Sequence, residues 1–271
     1  MISSESNGQI KELTRLQKQA RFRKQRNTFV VEGLKMVQEA ARYGKLQKIY
    51  LSESIYIEIQ GDDAESNKNL ISLLAKYDYE VVVDAVFQKV TDTVTPQGIL
   101  GLVTIPGYSL EAILQSQKPY YLLLDDVRDP GNLGTMIRTA EGAGMSGVIL
   151  SHGSVDLFNP KVVRATMGAV FRMPYCYVES LPETIQQIRS RGCQVYATAM
   201  EGSVVYDEPD YTPGAAVVIG NEANGVSDTV FHEMPINIRI PMGGALESLN
   251  AAVSAAVIMY EINRQNRLAL E

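Results

Sequence analysis

The segment IRIPMGGALESLNAAVSAAVIMYEINR, residues 238–264, decides how the chain is read, because it runs from a strand end through a glycine-bearing turn into an apolar helix. Ile238 and Ile240 alternate as on a strand edge, and Pro241 stops the strand. Gly243 and Gly244 permit backbone angles, or a close ligand approach, that a side chain would block. Between Leu249 and Tyr260 the helix carries Ala, Val, Ile and Met on more than one face, which predicts burial on several sides. Ser248 and Asn250 stand at its mouth. Ser248 either caps free N–H groups or meets a ligand. Asn250, two residues further in, is harder to read as a cap, since Asn within a helix is unfavourable unless its amide has a partner.

The same strand, turn and helix recur upstream. YYLLL, 120–124, is a near-continuous apolar strand of the kind buried on both faces of a parallel sheet, and DDVRDPGNLGTMIRTAEGAG follows it. There Pro130-Gly131 makes a turn and Asn132 is the candidate N-cap. Arg138 lies two turns into a helix among apolar Met136, Ile137 and Ala140, so it either pairs with a carboxylate or serves a phosphate-bearing substrate. A strand at 215–219 leads into IGNEANGVSD, where Gly220 and Gly225 can expose backbone groups and Glu222 is either a loop carboxylate with a task or a plain surface residue. Further strands at 148–150, 175–178 and 194–198 and helices at 133–143, 160–167 and 182–191 predict a parallel-sheet domain. Ligands in such sheets bind outside the carboxyl ends of the strands. GAGMSG, 142–147, matches the dinucleotide fingerprint, but it closes a helix and enters a strand, the reverse of the order that serves a pyrophosphate; its glycines are read as a helix cap.

The first half is organised differently. Residues 1–8 are polar and expected to be disordered. A basic run, 9–26, is either a solvated helix or a set of phosphate contacts, with Phe22 as one stacking group. Strands at 29–31, 49–51, 80–83 and 99–104 alternate with helices at 33–43 and 70–77 around a polar insertion at 60–67, which predicts a small α/β domain. Pro106-Gly107 is the expected boundary. The formal net charge is -6, yet residues 1–48 hold eleven Lys and Arg against four Glu, leaving -13 for the remainder, so the charge argument against a nucleic-acid partner fails for the amino-terminal end. Cys176 and Cys193 have no neighbours at metal-ligand spacing and read as core residues. No stretch is long enough for a membrane span and none reads as a signal peptide, so a cytoplasmic protein with no membrane partner is expected.

Taken together, NLGTMIRTAEGAG, VVIGNEANGVSD and IRIPMGGALESLNAAVSAAVIMYE resemble, in order and without gaps, the three motifs of the SpoU or TrmH family of RNA ribose 2'-O-methyltransferases in the SPOUT superfamily. FNPKVVRATMGAVFRMP, 158–174, is similar to the family's connecting segment, and the first half is more loosely similar to its L30e-like RNA-binding domain. The resemblance implies a basic arm and L30e-like domain over 1–105, a linker over 106–118 and a trefoil-knotted α/β domain with a parallel sheet over 119–271. It implies S-adenosylmethionine as methyl donor, no metal, ribosomal RNA as partner, and a homodimer. By position it places Gly220, Ile240 and Leu249 in the donor pocket with Asn221, Met242 and Thr198 nearby, and Asn132, Arg138, Glu222, Ser248 and Asn250 at the catalytic positions. Lys11, Arg15, Lys18, Arg21, Arg23, Lys24, Arg26 and Arg164 are the expected RNA contacts. His152 and His232 remain rival bases outside any motif. The rival classes are a non-catalytic RNA-binding protein, a base methyltransferase, a tRNA ribose methyltransferase and, on the misplaced glycines alone, an oxidoreductase.

Overall fold

The computed structural model of the protein describes residues 1–43, 45–61, 67–199, 203–233 and 236–269, so the middle of the polar insertion expected at 60–67 lies outside the described residues. The first part of the chain runs α1 (Gly8–Lys18), α2 (Ala20–Arg26), β1 (Thr28–Glu32), α3 (Leu34–Arg42), β2 (Leu46–Ser52), α4 (Glu53–Gln60), α5 (Lys68–Leu74), β3 (Tyr79–Val82), α6 (Asp84–Phe87) and β4 (Ile99–Thr104). After α7 (Leu110–Leu114) come β5 (Tyr120–Leu124), α8 (Pro130–Gly142), β6 (Gly147–Ser151), α9 (Pro160–Ala165), β7 (Tyr175–Val178), α10 (Leu181–Ser190), β8 (Gln194–Thr198), β9 (Val204–Val205), β10 (Ala215–Ile219), α11 (Asp228–Phe231), β11 (Ile236–Arg239) and α12 (Ala251–Leu268).

Two compact units result. The first comprises residues 1–106 together with 158–171. Its described residues form a sheet in the order β1-β4-β2-β3, with β4 antiparallel to β1 and β2, and β3 parallel to β2. Helix α1 closes one face with Ile10, Leu13 and Leu16, packed with Val30, Tyr50 and Leu100. The expected disorder of residues 1–8 is corrected here. Ile2 is buried, its N–H donates to the Val81 carbonyl at 2.7 Å and its carbonyl accepts from Val83 at 3.0 Å, so one apolar residue and an open strand edge order the terminus. The segment 158–171 supplies apolar side chains to the same unit. Phe158 and Phe171 lie 4.6 and 6.1 Å from the buried Phe29 ring, and Arg164 bonds Asp92 at 2.8 Å.

The second unit comprises 107–157 and 172–271. Its described residues form a seven-stranded sheet in the order β7-β6-β5-β10-β8-β11-β9, parallel at every pairing, as the sequence predicts. The central strands β5 and β10 are buried at every position, which is why both read as unbroken apolar runs. GAGMSG ends α8: Gly144 takes φ +74° and Met145 donates back to the Ala140 carbonyl at 2.9 Å, a helix terminus and not a nucleotide loop. Helix α12 corrects another expectation. Ala252, Ala255, Ile258, Met259 and Ile262 are buried along one face, but Val253 and Tyr260 stay 48% and 52% exposed, so this chain alone does not cover the helix on several sides.

Removing one of the rings that the segment 158–171 contributes tests its place in the first unit's core. Phe158→Ala should lower stability by about 3–5 kcal/mol, as truncation of a buried Phe does. Urea unfolding of the variant with every midpoint unmoved would contradict this packing.

Candidate active site

Three loops meet at the carboxyl edge of the parallel sheet, and acidic residues at the end of β5 begin the arrangement. Asp125, buried, accepts from the Ser227 N–H at 2.8 Å, which ties this strand end to the loop after β10. Asp126 adopts φ +57°, and its carbonyl accepts from Asn221 Nδ2 at 2.8 Å. Asp129 then caps α8, its Oδ1 accepting from Asn132 N at 2.7 Å, with Pro130 in the first turn. The expected cap, Asn132, is therefore displaced by Asp129, three positions earlier: proline already has the fixed φ of a first helical residue, so the cap is the residue before Pro130. That leaves the Asn132 amide free for other partners.

Those partners are the other two loops. Asn132 Nδ2 donates to Glu222 Oε1 at 3.1 Å, and Asn132 Oδ1 accepts from Asn250 Nδ2 at 3.0 Å. Glu222 also accepts from the backbone N–H groups of Arg128 at 3.2 Å and Asp129 at 3.1 Å. Asn250 is the N-cap of α12, its Oδ1 accepting from Ala252 N at 2.9 Å and Val253 N at 3.3 Å. This corrects the expectation that Asn250 lies too far into the helix to cap it, and of the two readings left open for Ser248 it removes the cap: the helix begins two residues later than its apolar pattern. Direction in the chain is fixed by chemistry. The Asn250 oxygen serves helix N–H donors, so its NH₂ must donate to Asn132, whose own NH₂ then turns to the carboxylate, a group that only accepts. Desolvation raises the Glu222 carboxyl pKa, but hydrogen bonds from Asn132 and from backbone N–H groups including those of Arg128 and Asp129 outweigh it, holding the group below its ordinary value.

The loop after β10 is itself closed tightly. A Cβ on Gly220 would stand 2.1 Å from the carbonyl carbon of Gly225, so no other residue fits. Asn221 and Gly225 exchange backbone hydrogen bonds at 2.9 Å each, while Asn221 Oδ1 accepts from Ala223 N and Asn224 N. Beside this loop opens a cavity of about 390 Å³, within the usual range for small-molecule sites. Each expected donor-pocket residue, Thr198, Gly220, Asn221, Ile240, Met242 and Leu249, lies on its wall, as do Glu222 and Ser248. Asn132 and Asn250 are off the wall and reach it through Glu222. Arg138 is also off the wall, exposed on α8, and its side chain makes no ion pair or hydrogen bond with any described residue. His152 is bonded to Glu179 at 2.9 Å and stacked on Tyr177, and neither it nor His232 lines the cavity.

In the first unit the expected RNA contacts divide. Arg23 is buried and donates to the Leu16 and Gln17 carbonyls at 2.6 and 3.1 Å; it finishes α1 and is turned away from any polyanion. Phe22 is buried beneath Arg15, whose guanidinium carbon lies 3.8 Å from the ring centre, so it is no free stacking group. Arg26 bonds Glu12 through two nitrogens at 2.9 and 2.6 Å, and Arg164 is held by Asp92. Lys11, Lys18, Arg21 and Lys24 are exposed and form no ion pair with any described residue. Asp125, Asp129 and Glu247, the last on the cavity wall, were not singled out from sequence; for the two aspartates the acid-rich DDVRD after an apolar strand was the available signal.

A loop-built cavity at the carboxyl edge of a parallel sheet is the site of an α/β enzyme, and comparison with known proteins gives its family. Residues 119–260 match the model of the SpoU rRNA methylase family, and residues 7–101 that of the MRM3-like substrate binding domain. The chain belongs to the SpoU rRNA methylase family, as its motifs led us to expect. It is 34% identical to the Bacillus subtilis 23S rRNA (guanosine(2553)-2'-O)-methyltransferase RlmP over 96% of this chain and 98% of the relative. It is 30% identical to human mitochondrial rRNA methyltransferase 3, covering 91% of this chain and 70% of that protein. The crystal structure of an AdoMet-bound rRNA methyltransferase from Sinorhizobium meliloti superposes with a TM-score of 0.82 at 31% identity, covering 97% of both chains.

Two predictions separate cap from relay. Asn250→Ala should cost about 1 kcal/mol or more through the lost helix cap. Asn250→Ser, which keeps a capping oxygen but loses the donor to Asn132, should hold most of the stability while weakening ligand binding in the cavity. Equal stability loss in both variants would show that the relay, and not the cap, sets stability. Because the folded Glu222 carboxyl lies below its ordinary value of 4.5, its contribution is complete above that value and lost as pH falls through the lower folded pKa. The difference in thermal midpoint between wild type and Glu222→Gln should therefore be largest near neutrality and shrink in acid; a constant difference would contradict the role of the charge.

Proposed function

We propose that the protein transfers a methyl group from S-adenosylmethionine to the 2'-hydroxyl of a ribose in structured ribosomal RNA of the large-subunit type. The observation that carries this reading is the hydrogen-bonded chain from Asn250 through Asn132 to Glu222, which joins all three motif loops at the rim of the cavity. The names of the Bacillus and human relatives, and the donor bound by the Sinorhizobium protein, support it. The residues present suit the donor. Ile240, Met242 and Leu249 give the cavity apolar walls, the turn at Gly220 brings backbone to its edge, and Glu247 offers a carboxylate to a cationic ligand.

When bound, S-adenosylmethionine supplies a methyl group already activated on a positively charged sulfur. The chain's own work is then to hold a weakly acidic hydroxyl in line and to stabilise the negative charge that grows on its oxygen. Arg138 performs the second task. A guanidinium keeps its proton, so it acts as a fixed positive charge that orients the substrate phosphate and ribose oxygen, while the hydroxyl proton leaves to that phosphate or to water. Ser248 and Asn250 position the nucleotide and the third loop.

In this reading residues 1–105 bind the RNA, 106–118 link, and 119–271 carry the transfer, with α12 threaded into the trefoil knot of the family. The enzyme works in the cytoplasm as a homodimer. Val253 and Tyr260 on α12 and Leu246 before it, the last 73% exposed, offer an apolar face to a second copy.

Arg138→Ala should bind S-adenosylmethionine with nearly unchanged affinity by calorimetry yet transfer tritiated methyl to ribosomal RNA about 10²–10³-fold more slowly, the loss typical of removing one charge-stabilising group. Turnover equal to wild type would remove Arg138 from the mechanism. Methylation found on a base after nuclease digestion and mass spectrometry would overturn the ribose assignment.

A further inference from the structure

A second cavity, of about 630 Å³, lies in the first unit between α1 and the turn Gln88–Val90. Its wall holds Lys11, Arg15, Lys18 and Lys89 against a single carboxylate, Glu5. The three cations of α1 fall at i, i+4 and i+7, one stripe of the helix, while Ile10, Leu13 and Leu16 fix the opposite side in the core. Two of the groove's edges are anchored. Gln17 Nε2 donates to the Val90 carbonyl at 3.2 Å, which fastens the Lys89 turn to α1, and Arg15 is held over the Phe22 ring. Glu5 comes from the terminal segment that Ile2 pins beside β3, and its carboxylate is paired with Lys89. Both members of that pair are more than half exposed, so it is weakly bound and open to exchange.

We propose that this groove holds backbone phosphates of the substrate RNA, and that the Glu5 carboxylate stands where a phosphate goes, to be displaced when RNA arrives. The inference rests on the reading of RNA as substrate. A row of cations with one internal carboxylate fits a phosphodiester chain: phosphate contacts need only placed positive charge and carry no sequence information. The groove adds Lys89 to the cations legible in the basic run. It assigns the terminal segment a function too, as a built-in competitor that lowers affinity for RNA offering only one or two phosphates.

The test is filter binding of the full-length protein to deproteinised 23S ribosomal RNA across a series of salt concentrations. Lys18→Ala and Lys89→Ala should each weaken binding and each reduce the slope of log affinity against log salt by about 1. Glu5→Gln, an exposed change that leaves the fold intact, should tighten binding roughly two- to fivefold. Lys76→Ala, outside the groove, should bind as wild type does. Unchanged slopes in both lysine variants, an equal loss with Lys76→Ala, or Glu5→Gln binding no tighter than wild type would each overturn the proposal. Methyl transfer is not read here, so a failed groove leaves the catalytic assignment standing, and a wild type that binds but does not methylate leaves the groove standing.

Discussion

The Glu222 carboxylate is the constraint on which the site depends. It collects two backbone N–H groups from the loop after β5 and the Asn132 amide from the first turn of α8, and through that amide it is joined to the cap of α12. Each link fixes the orientation of the next, because a carboxylate can only accept while an amide has one accepting and one donating end. Three loops separated by many residues thereby share one geometry. A neutral acceptor would hold them less firmly, since hydrogen bonds to a charged group are roughly twice as strong as neutral ones.

The loops can be held this closely because the strands beneath them are fully buried. β5 and β10 are buried at every position in the middle of the sheet, and Asp125 and Asn221 continue their pairing beyond the last strand residue through bonds to Ser227 and Asp126. Gly220 completes the arrangement by letting the chain double back to Gly225 with no room for a side chain. A rigid floor with polar loops at its edge lets a cavity form without disturbing the core.

Much of this was legible in the sequence, and the failures have identifiable causes. The parallel sheet follows from apolar runs too short for helices, and the three loops from glycine and asparagine after each run. Asn132 reads as a cap and Asn250 does not, because capping depends on where the backbone turns: Asp129 and Asn250 hold the oxygen that meets free N–H groups, whereas Asn132 merely has the right chemistry nearby. Arg23 looked like its basic neighbours, since nothing in composition says which side chain a helix end will turn inward. Ile2 was lost among polar residues, because a single apolar contact leaves no period to detect. Helix α12 was right in composition but not in the extent of burial, since Val253 and Tyr260 belong to a face that one chain leaves open.

The first unit draws its core from two separated stretches of chain, with Phe158 and Phe171 completing the packing around Phe29. A single recombination at the end of residue 106 would therefore deliver the bulk of this module without its second piece. Expressed alone, residues 1–106 would leave one side of the Phe29 ring bare, so a stable isolated version of this unit needs 158–171 joined to it or Phe29 replaced by a smaller or polar residue.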